Sequence, residues 1–246
     1  MINSETTVRE VAVQLPQSTR LFETLNIDYC CGGNRPLSDA CDSAGLEVDN
    51  VIEMLTALSQ PEASESSTLD FQKLSLTELI AYILETHHIF TRSEMARIEA
   101  LCAKVVGAHS ANHPELLKVA NLFQRLCADL KPHMFKEEQV LFPYIAAMEQ
   151  AGAHDPFAPF GTVKKPVRMM MMEHDTAGDI LRELRAVTSD FRVPPDGCIS
   201  YQTLYQALEG FEKDLHQHIH LENNILFPKA VECETRRDVN GNGYTK

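Results

Sequence analysis

The sequence has no long apolar run and few basic residues for its length. None of its apolar stretches approaches the about 20 residues that a membrane-spanning helix needs, and its N-terminus lacks the basic and then apolar layout of a signal peptide. Its 246 residues include 22 Lys and Arg against 35 Asp and Glu, which gives a net charge of −13. Nucleic-acid-binding proteins usually carry basic patches. We therefore expect a cytoplasmic protein that has neither a membrane nor a nucleic acid as a partner.

Glycine and proline are scarce within the long stretches of the sequence, and strand-like alternation is rare. Apolar residues instead recur at spacings of three and four, which is typical of amphipathic helices. The pattern predicts an all-α protein in four parts. These are a small helical module at 1–58, a polar and acidic linker at 59–69, a four-helix bundle at 70–234 and a disordered tail at 235–246.

The bundle is predicted from four long periodic segments. They span residues 74–106, 113–150, 167–191 and 199–232. Pro132 lies inside the second segment, and proline removes a helical hydrogen bond. We therefore expect a kink, or a break followed by a restart, at that position.

Two segments of the predicted bundle repeat each other. HMFKEEQVLFP at 133–143 matches HIHLENNILFP at 218–228, with an offset of 85 residues. A His and a Glu four residues apart lie on one face of a helix, about 40° apart in angle. The leucine of each LFP sequence continues that face toward the core. An isolated HxxxE pair is usually a surface pair, but two inward-facing copies favour a metal site, since a metal partners both side chains.

Two more histidines complete this pattern. His88 lies 45 residues before His133, and His174 lies 44 residues before His218. The bundle is thus predicted as two hairpins, each offering one His and one HxxxE pair to a dinuclear centre. The candidate ligands are His88, His133, Glu137, His174, His218 and Glu222. Imidazole and carboxylate without thiolate favour iron or manganese. We expect two non-haem irons, bridged by carboxylate and by an oxide or hydroxide.

Several neighbouring residues have alternative interpretations. His87 and His88 both continue apolar rows, so periodicity leaves the choice between them open. Glu173 is either an acid behind the ligand His174 or a solvated carboxylate. The run of four methionines at 169–172 is interpreted as packing, with a substrate path as the alternative. Three further polar residues are expected to be solvent-exposed: His216, His220 and Glu138.

The H…HxxxE…H…HxxxE series resembles the hemerythrin-like di-iron domain. Together with DYCCGG at 28–33, it resembles the di-iron repair-of-iron-centres family over nearly the whole chain. The resemblance implies a hemerythrin-like four-helix bundle in which His88, rather than His87, is the first ligand. It also places the family's vicinal cysteines on Cys30 and Cys31.

The resemblance implies a function as well. Family members are implicated in repairing iron–sulfur clusters damaged by nitrosative or oxidative stress, with nitric oxide binding or reduction at the di-iron site. The implied partners are damaged iron–sulfur proteins or assembly scaffolds, nitric oxide or oxygen, and a second copy of the chain in a homodimer. Glu173 is a candidate proton donor for the reduction of nitric oxide.

The seven cysteines separate into three groups. With no secretory signal they are expected to be mostly reduced. Cys30 and Cys31 precede two glycines in a turn, where thiols tend to be accessible, so we expect a redox or transient iron-ligand role, with a purely structural turn as the alternative. Three cysteines within helical patterns are interpreted as core residues: Cys41, Cys102 and Cys127. Cys198 and Cys233 have no predicted role.

Two other functions compete with repair. One is a hemerythrin-like carrier or sensor that binds oxygen or nitric oxide reversibly and transforms nothing. The other is an iron reservoir that donates metal to assembly scaffolds. The Cys30–Cys31 turn favours repair over a carrier, because a simple carrier has no evident need for thiols.

Overall fold

The chain folds into helices, and the structure is a computed structural model that describes residues 2–59, 69–151 and 159–241, with side chains to residue 237. Within these residues strand pairing is limited to an isolated bridge between Thr7 and Pro36. In chain order the α-helices are α1 (Val8–Gln14), α2 (Ser18–Thr24), α3 (Leu37–Ala44), α4 (Val48–Leu58), α5 (Leu76–Tyr82), α6 (Ile89–His109), α7 (Glu115–Lys136), α8 (Phe142–Gln150), α9 (Lys164–Val187), α10 (Ile199–Leu221) and α11 (Phe227–Gly241). The predicted all-α fold is confirmed.

Helices α1 to α4 form the N-terminal module around an apolar core of their own. Val8, Phe22, Leu37 and Leu55 are fully buried in it. Helix α1 begins with a capping box, in which the Thr7 side chain accepts from the third helical N–H and the glutamate there accepts from the Thr7 N–H. The predicted linker at 59–69 falls mostly on residues outside the described part of the chain.

Helices α5 to α11 form the four-helix bundle. Three of its four long helices each contain one π-helical segment. The three segments join α5 to α6, α7 to α8, and α10 to α11. These segments are Ile83–His88, Glu137–Leu141 and Glu222–Leu226. A π-helical turn carries an extra residue within an α-helix and is frequent at functional sites. Each of the three segments contains a predicted metal ligand.

The bundle has two apolar core clusters, one on each side of the predicted ligands. Phe123 and Phe211 pack edge to face in the first cluster, and Phe142 and Phe227 are buried in the second. Along their helices, His88, Glu137 and His174 fall between the residues of the two clusters, and the other three predicted ligands lie where one cluster gives way to the other. The polar centre is therefore enclosed above and below by close-packed apolar side chains.

Three boundaries differ from the predicted ones. Helix α7 continues through Pro132, so of the kink or break expected there the break is wrong: Leu130 and Met134 on either side are buried and hold both turns against the core. Helix α9 ends at Val187, since residues 189–191 have positive φ angles. Helix α11 continues to Gly241, so the tail predicted to begin at 235 is wrong for 235–241. Residues 242–246 lie outside the described part.

The methionine run follows the amphipathic pattern of α9. Met170 is buried in the second core cluster, whereas Met169 and Met172 are about half exposed on the opposite face. The interpretation as packing therefore holds for Met170. Among the described residues, none of the helices combines the length and apolarity of a bilayer-spanning segment.

Candidate metal centre

Four histidines and two glutamates converge between the two core clusters of the bundle. Their donor atoms form two groups, and the atoms of each group lie within 4.8 Å of one another. The first group consists of His88, Glu137, His218 and Glu222, and the second of His133, Glu137, His174 and Glu222. All six side chains are buried. The fold thus brings the six predicted ligands together as two adjacent groups that share both carboxylates.

Each group contains a pair of imidazole nitrogens that face one another. The Nε2 atoms of His88 and His218 lie 3.1 Å apart, and those of His133 and His174 lie 3.0 Å apart. Two nitrogens bound to one metal at about 2.1 Å and at a right angle would be about 3 Å apart. The separation within each pair therefore matches two ligands of a common metal ion.

The buried carboxylates have oxygen atoms with no well-directed hydrogen bond in the described part of the chain. Both oxygens of Glu137 and Oε2 of Glu222 lack a well-directed hydrogen bond, although the Nε2 atoms of candidate ligand histidines lie 3.1 to 3.5 Å from them. An ionised carboxylate buried without partners is costly, and a metal ion is the partner that compensates both carboxylates and imidazoles. The nitrogen and oxygen donors, without thiolate, fit non-haem iron.

The carboxylates also set the charge of the rings in the metal-free chain. Burial alone would lower the pKa of His133, but Glu137 and Glu173 raise it to about 10. Burial likewise opposes a charge on His218, yet Glu222 raises its pKa. Protons on these rings therefore compensate the buried carboxylates when no metal is bound. Metal binding must displace them, so it releases protons.

The other ring nitrogens of three candidate ligands are held by polar side chains. Nδ1 of His88 lies 2.7 Å from Glu138, Nδ1 of His133 lies 2.8 Å from Glu173, and Nδ1 of His174 lies 2.8 Å from Asn223. With Nε2 facing the metal positions, Nδ1 carries the hydrogen and donates it. Such partners fix the orientation and tautomer of a metal-binding ring.

Two of these three partners were not predicted. The expectation of a surface role for Glu138 is wrong, because His88 and Arg92 both contact its carboxylate. Asn223 was not recognised, although it directly follows a predicted ligand. The hydrogen-bond partner of a ligand histidine can come from any helix. The sequence therefore offers one signal for Asn223, which is its position next to the candidate ligand Glu222.

Glu173 contacts a candidate ligand and a lysine. Its carboxylate accepts from His133 and Lys136, and the hydrogen bond from His133 lowers its pKa to about 2 although burial opposes this. Glu173 is therefore ionised at neutral pH. An ionised Glu173 suits the role of a hydrogen-bond acceptor that positions His133. It is less suited to the role of proton donor, which was the expectation from the sequence.

His87 lies outside both groups. Its Nδ1 is 3.0 Å from Asp214, and its ring stacks on that of His218 with a centroid distance of 5.7 Å. Nδ1 of His218 has no hydrogen-bond partner among the described residues. Stacking on His87 therefore holds the ring of His218, whose Nδ1 lacks a polar partner. The choice that periodicity left open falls on His88, as the resemblance implies.

The prediction that His216 and His220 are solvated is wrong. The N-terminal module covers their face of α10, where His216 contacts Glu23 at 2.9 Å and His220 is buried against the Tyr29 ring. Burial lowers the pKa of His220 to about 4, so its ring is neutral. A helical pattern in α10 alone does not reveal that another part of the chain packs on this face.

The Cys30–Cys31 turn docks against the metal-binding part of the bundle. The Cys31 thiol lies 3.6 Å from the carbonyl oxygen of His174, and the Asn223 side chain donates to the Cys30 carbonyl over 3.3 Å. Asn224 donates to the Tyr29 carbonyl over 2.9 Å. Cys31 is partly exposed, but the expected accessibility of Cys30 is wrong, because contact with the bundle leaves it 5% exposed. Asn223 thus connects this turn to a candidate ligand.

The remaining cysteines differ in their surroundings. The interpretation of three as core residues is confirmed by the burial of Cys41, Cys102 and Cys127. Cys198 is exposed at the N-terminus of α10, with its sulfur 3.1 Å from Nε2 of His109. The N–H groups at the start of α10 and then His109 lower the pKa of Cys198 to about 7.

Cys198 should therefore be the most rapidly alkylated thiol of the folded chain. About half of it is thiolate at pH 7, compared with a few per cent for a thiol of ordinary pKa. The alkylation rate should rise with pH, reach half its maximum near pH 7, and shift to higher pH in His109→Ala. Iodoacetamide labelling with mass spectrometry measures this profile, and Cys198→Ser is the control. A half-maximal rate at pH 8.5 or above would contradict the prediction.

Comparison with known proteins identifies two families whose models match this chain. Residues 79–230 match the hemerythrin HHE cation binding domain, and residues 4–59 match a domain of unknown function, DUF542. The chain is similar to a probable iron-sulfur cluster repair protein of Haemophilus influenzae, with 34% identity covering 90% of this chain and 95% of that protein.

Two further relatives have the same arrangement. The iron-sulfur cluster repair protein YtfE of Pectobacterium atrosepticum is 35% identical over 92% of this chain and 96% of its own length. The protein of the same name from Yersinia pseudotuberculosis is 33% identical over 91% of this chain and 96% of its own length. The chain therefore belongs to the family of these iron-sulfur cluster repair proteins, and its bundle is a hemerythrin HHE cation binding domain.

Proposed function

We propose that this protein repairs iron–sulfur clusters damaged by nitrosative or oxidative stress. The observation that carries the proposal is the contact of the Cys30–Cys31 turn with the carbonyl of His174 and, through Asn223, with its ring. Cysteine thiolates are the usual ligands of iron–sulfur clusters, so thiols beside an iron-binding centre suit iron–sulfur chemistry. The names of the similar proteins support the same function. Its clients would be damaged iron–sulfur proteins or assembly scaffolds in the cytoplasm.

The proposed cofactor is a pair of non-haem irons held by the six candidate ligands. Glu137 and Glu222 belong to both groups, which suits carboxylates that bridge two metal ions. An oxide or hydroxide bridge would compensate the remaining positive charge. Two adjacent ferrous ions would supply two electrons, with which two nitric oxide molecules and two protons yield nitrous oxide and water.

The protein's own side chains would shape that centre. The two core clusters exclude bulk water from the ligands, which strengthens electrostatic interactions there. Glu138 and Glu173 hold the rings of His88 and His133 in place. The ligands would therefore be preorganised, with little rearrangement required when iron binds.

The main alternative is a carrier or sensor for oxygen or nitric oxide. It needs the same two metal positions and the same enclosing core, so the centre alone does not distinguish it from a repair protein. The docked thiols favour repair, because a reversible carrier does not require them. Iron donation is compatible with repair, since a damaged cluster that has lost iron must regain it.

The repair function is tested with a [4Fe–4S] enzyme that has been inactivated by nitric oxide. Iron-loaded wild-type chain should restore its activity, whereas Glu222→Gln, which removes a shared carboxylate, should not. Glu209→Gln, a surface change on the same helix, is the matched control. Equal recovery with wild type and with a buffer containing the same amount of free iron would contradict the proposal.

Nitric oxide chemistry is measured on the same preparations. The reduced, iron-loaded chain is mixed with nitric oxide, and the absorption spectrum and the nitrous oxide produced in one turnover are recorded. Nitrous oxide at one molecule per two of nitric oxide would support reduction. A changed, stable spectrum without nitrous oxide would contradict reduction and support binding alone.

A further inference from the structure

A third group of possible metal donors lies outside the bundle, in the N-terminal module. The carboxylate of Asp28 and the thiols of Cys30 and Cys31 have donor atoms within 4.8 Å of one another. The two sulfurs are 3.7 Å apart, and the Cys30 sulfur is 3.4 Å from Oδ1 of Asp28. The group therefore contains a pair of thiols and one carboxylate on a single turn.

Backbone contacts hold this turn in shape. Oδ1 of Asp28 accepts the N–H groups of Cys30 and Cys31 at 3.1 and 2.9 Å. A Cβ atom on Gly33 would lie 2.9 Å from the Tyr29 carbonyl oxygen, and one on Gly32 would lie 3.2 Å from the Asp28 carboxylate. Glycine at these two positions therefore permits the close approach of Asp28 to the thiols.

The arrangement of donors matches an open metal site. Two thiolates bound to one tetrahedral metal ion at about 2.3 Å would be about 3.8 Å apart, close to the observed 3.7 Å between Cys30 and Cys31. Asp28 would be the third ligand. With three protein ligands a fourth position stays free for exchange, as in sites that release or process their ligand and unlike closed structural sites.

The location of the turn connects it to the second group of the metal centre. Cys31 contacts the His174 backbone, and Asn223 bridges the Cys30 carbonyl and the His174 ring. The rings of His88 and His133 are held by carboxylates, which raise the basicity of a metal-binding imidazole. His174 is held by a neutral amide instead. Within the second group, His174 is thus the more weakly supported of the two imidazoles, and it is the one that contacts the thiol turn.

We propose that Asp28, Cys30 and Cys31 form a transit site for ferrous iron that passes between the bundle and a client protein. The inference rests on the proposed repair function and specifies where iron that is exchanged with a client enters or leaves this protein. The step is a ligand exchange without redox change. The two thiols lose their protons to solvent, two iron–sulfur bonds and one bond to the Asp28 carboxylate form, and the bonds to the bundle ligands break while iron stays ferrous.

A cobalt(II) titration of the full, reduced, iron-loaded chain tests the transit site. The Cys198→Ser/Cys233→Ser background removes the two other thiols that are at least partly exposed. One cobalt ion per chain should bind with a thiolate-to-cobalt charge-transfer band, and Cys31→Ser should lose that band. Asp28→Asn keeps the acceptor for both N–H groups but removes the charge, so cobalt should bind about 10- to 100-fold more weakly. Asp42→Asn, an exposed carboxylate of the same module, is the matched control.

Iron content measured on the same samples separates the two proposals. A chain with two irons and no thiolate band, or with a band that Cys31→Ser leaves unchanged, contradicts the transit site alone. A chain that holds no iron in the bundle contradicts the proposed function and the transit site together. A band that disappears in Cys31→Ser and weakens in Asp28→Asn, with two irons retained, supports both.

Discussion

Replacing Glu222 with glutamine will remove most of the iron from the protein. Its carboxylate belongs to both groups of candidate ligands, so both metal positions lose a charged donor in one substitution. A neutral amide is a poor ligand and does not compensate the charge of two divalent ions. Iron should fall from two per chain to below one, as measured by elemental analysis. In contrast, His88→Ala removes a donor from the first group only and should leave the second metal in place.

Thermal unfolding with and without iron shows whether such a loss reflects the site or the fold. Iron should stabilise the wild type strongly and Glu222→Gln hardly at all, because ligand binding to the native state raises its stability. Without iron the variant should be about as stable as the wild type, since it no longer buries a carboxylate and His218 can lose its proton. Retention of both irons by Glu222→Gln, or loss of iron by the surface control Glu209→Gln, would contradict the assignment.

Replacing Asn223 with leucine will weaken iron binding in the second group by about 10- to 100-fold, the usual cost of losing the partner of a metal-binding histidine. Leucine has the same branching and number of side-chain heavy atoms but cannot accept the hydrogen of His174 or donate to the Cys30 carbonyl. The ring of His174 would lose its fixed orientation, and the thiol turn would lose one attachment. Titration with a competing chelator measures the affinity of each metal position.

The neighbouring residue provides a matched control. Asn224 donates to the Tyr29 carbonyl and contacts Nδ1 of His220, neither of which belongs to the metal centre. Asn224→Leu should therefore weaken the docking of the module while leaving both iron affinities unchanged. If Asn224→Leu weakens iron binding as much as Asn223→Leu, docking rather than the orientation of His174 would explain the effect.

The periodicity of the sequence already indicated much of the centre. A His and a Glu four residues apart share a helical face, and the leucines of the two LFP sequences lie on that same face. Because the apolar face of a bundle helix must be buried, both pairs had to point into the core. The matching distances from His88 to His133 and from His174 to His218 then predicted two hairpins that meet at one centre.

Other features depended on contacts between distant segments. The burial of His220 and Cys30 follows from the docking of the module on α10 and the segment after it. Asn223 and Cys30 are 193 positions apart in the chain. Helical periodicity describes which residues share a face, but it contains no information on what packs against that face.

The helices, the inward-facing side chains and the chemical type of the candidate metal ligands follow from the local pattern of the amino-acid sequence. These properties depend on side chains three and four positions apart, whose geometry the α-helix fixes. The three-dimensional packing was needed to establish how the imidazoles pair across helices, that Glu138 and Asn223 hold rings of candidate ligands, and that the thiol turn lies against His174. Those contacts join different helices, so their geometry is set by packing of the whole chain rather than by any local pattern.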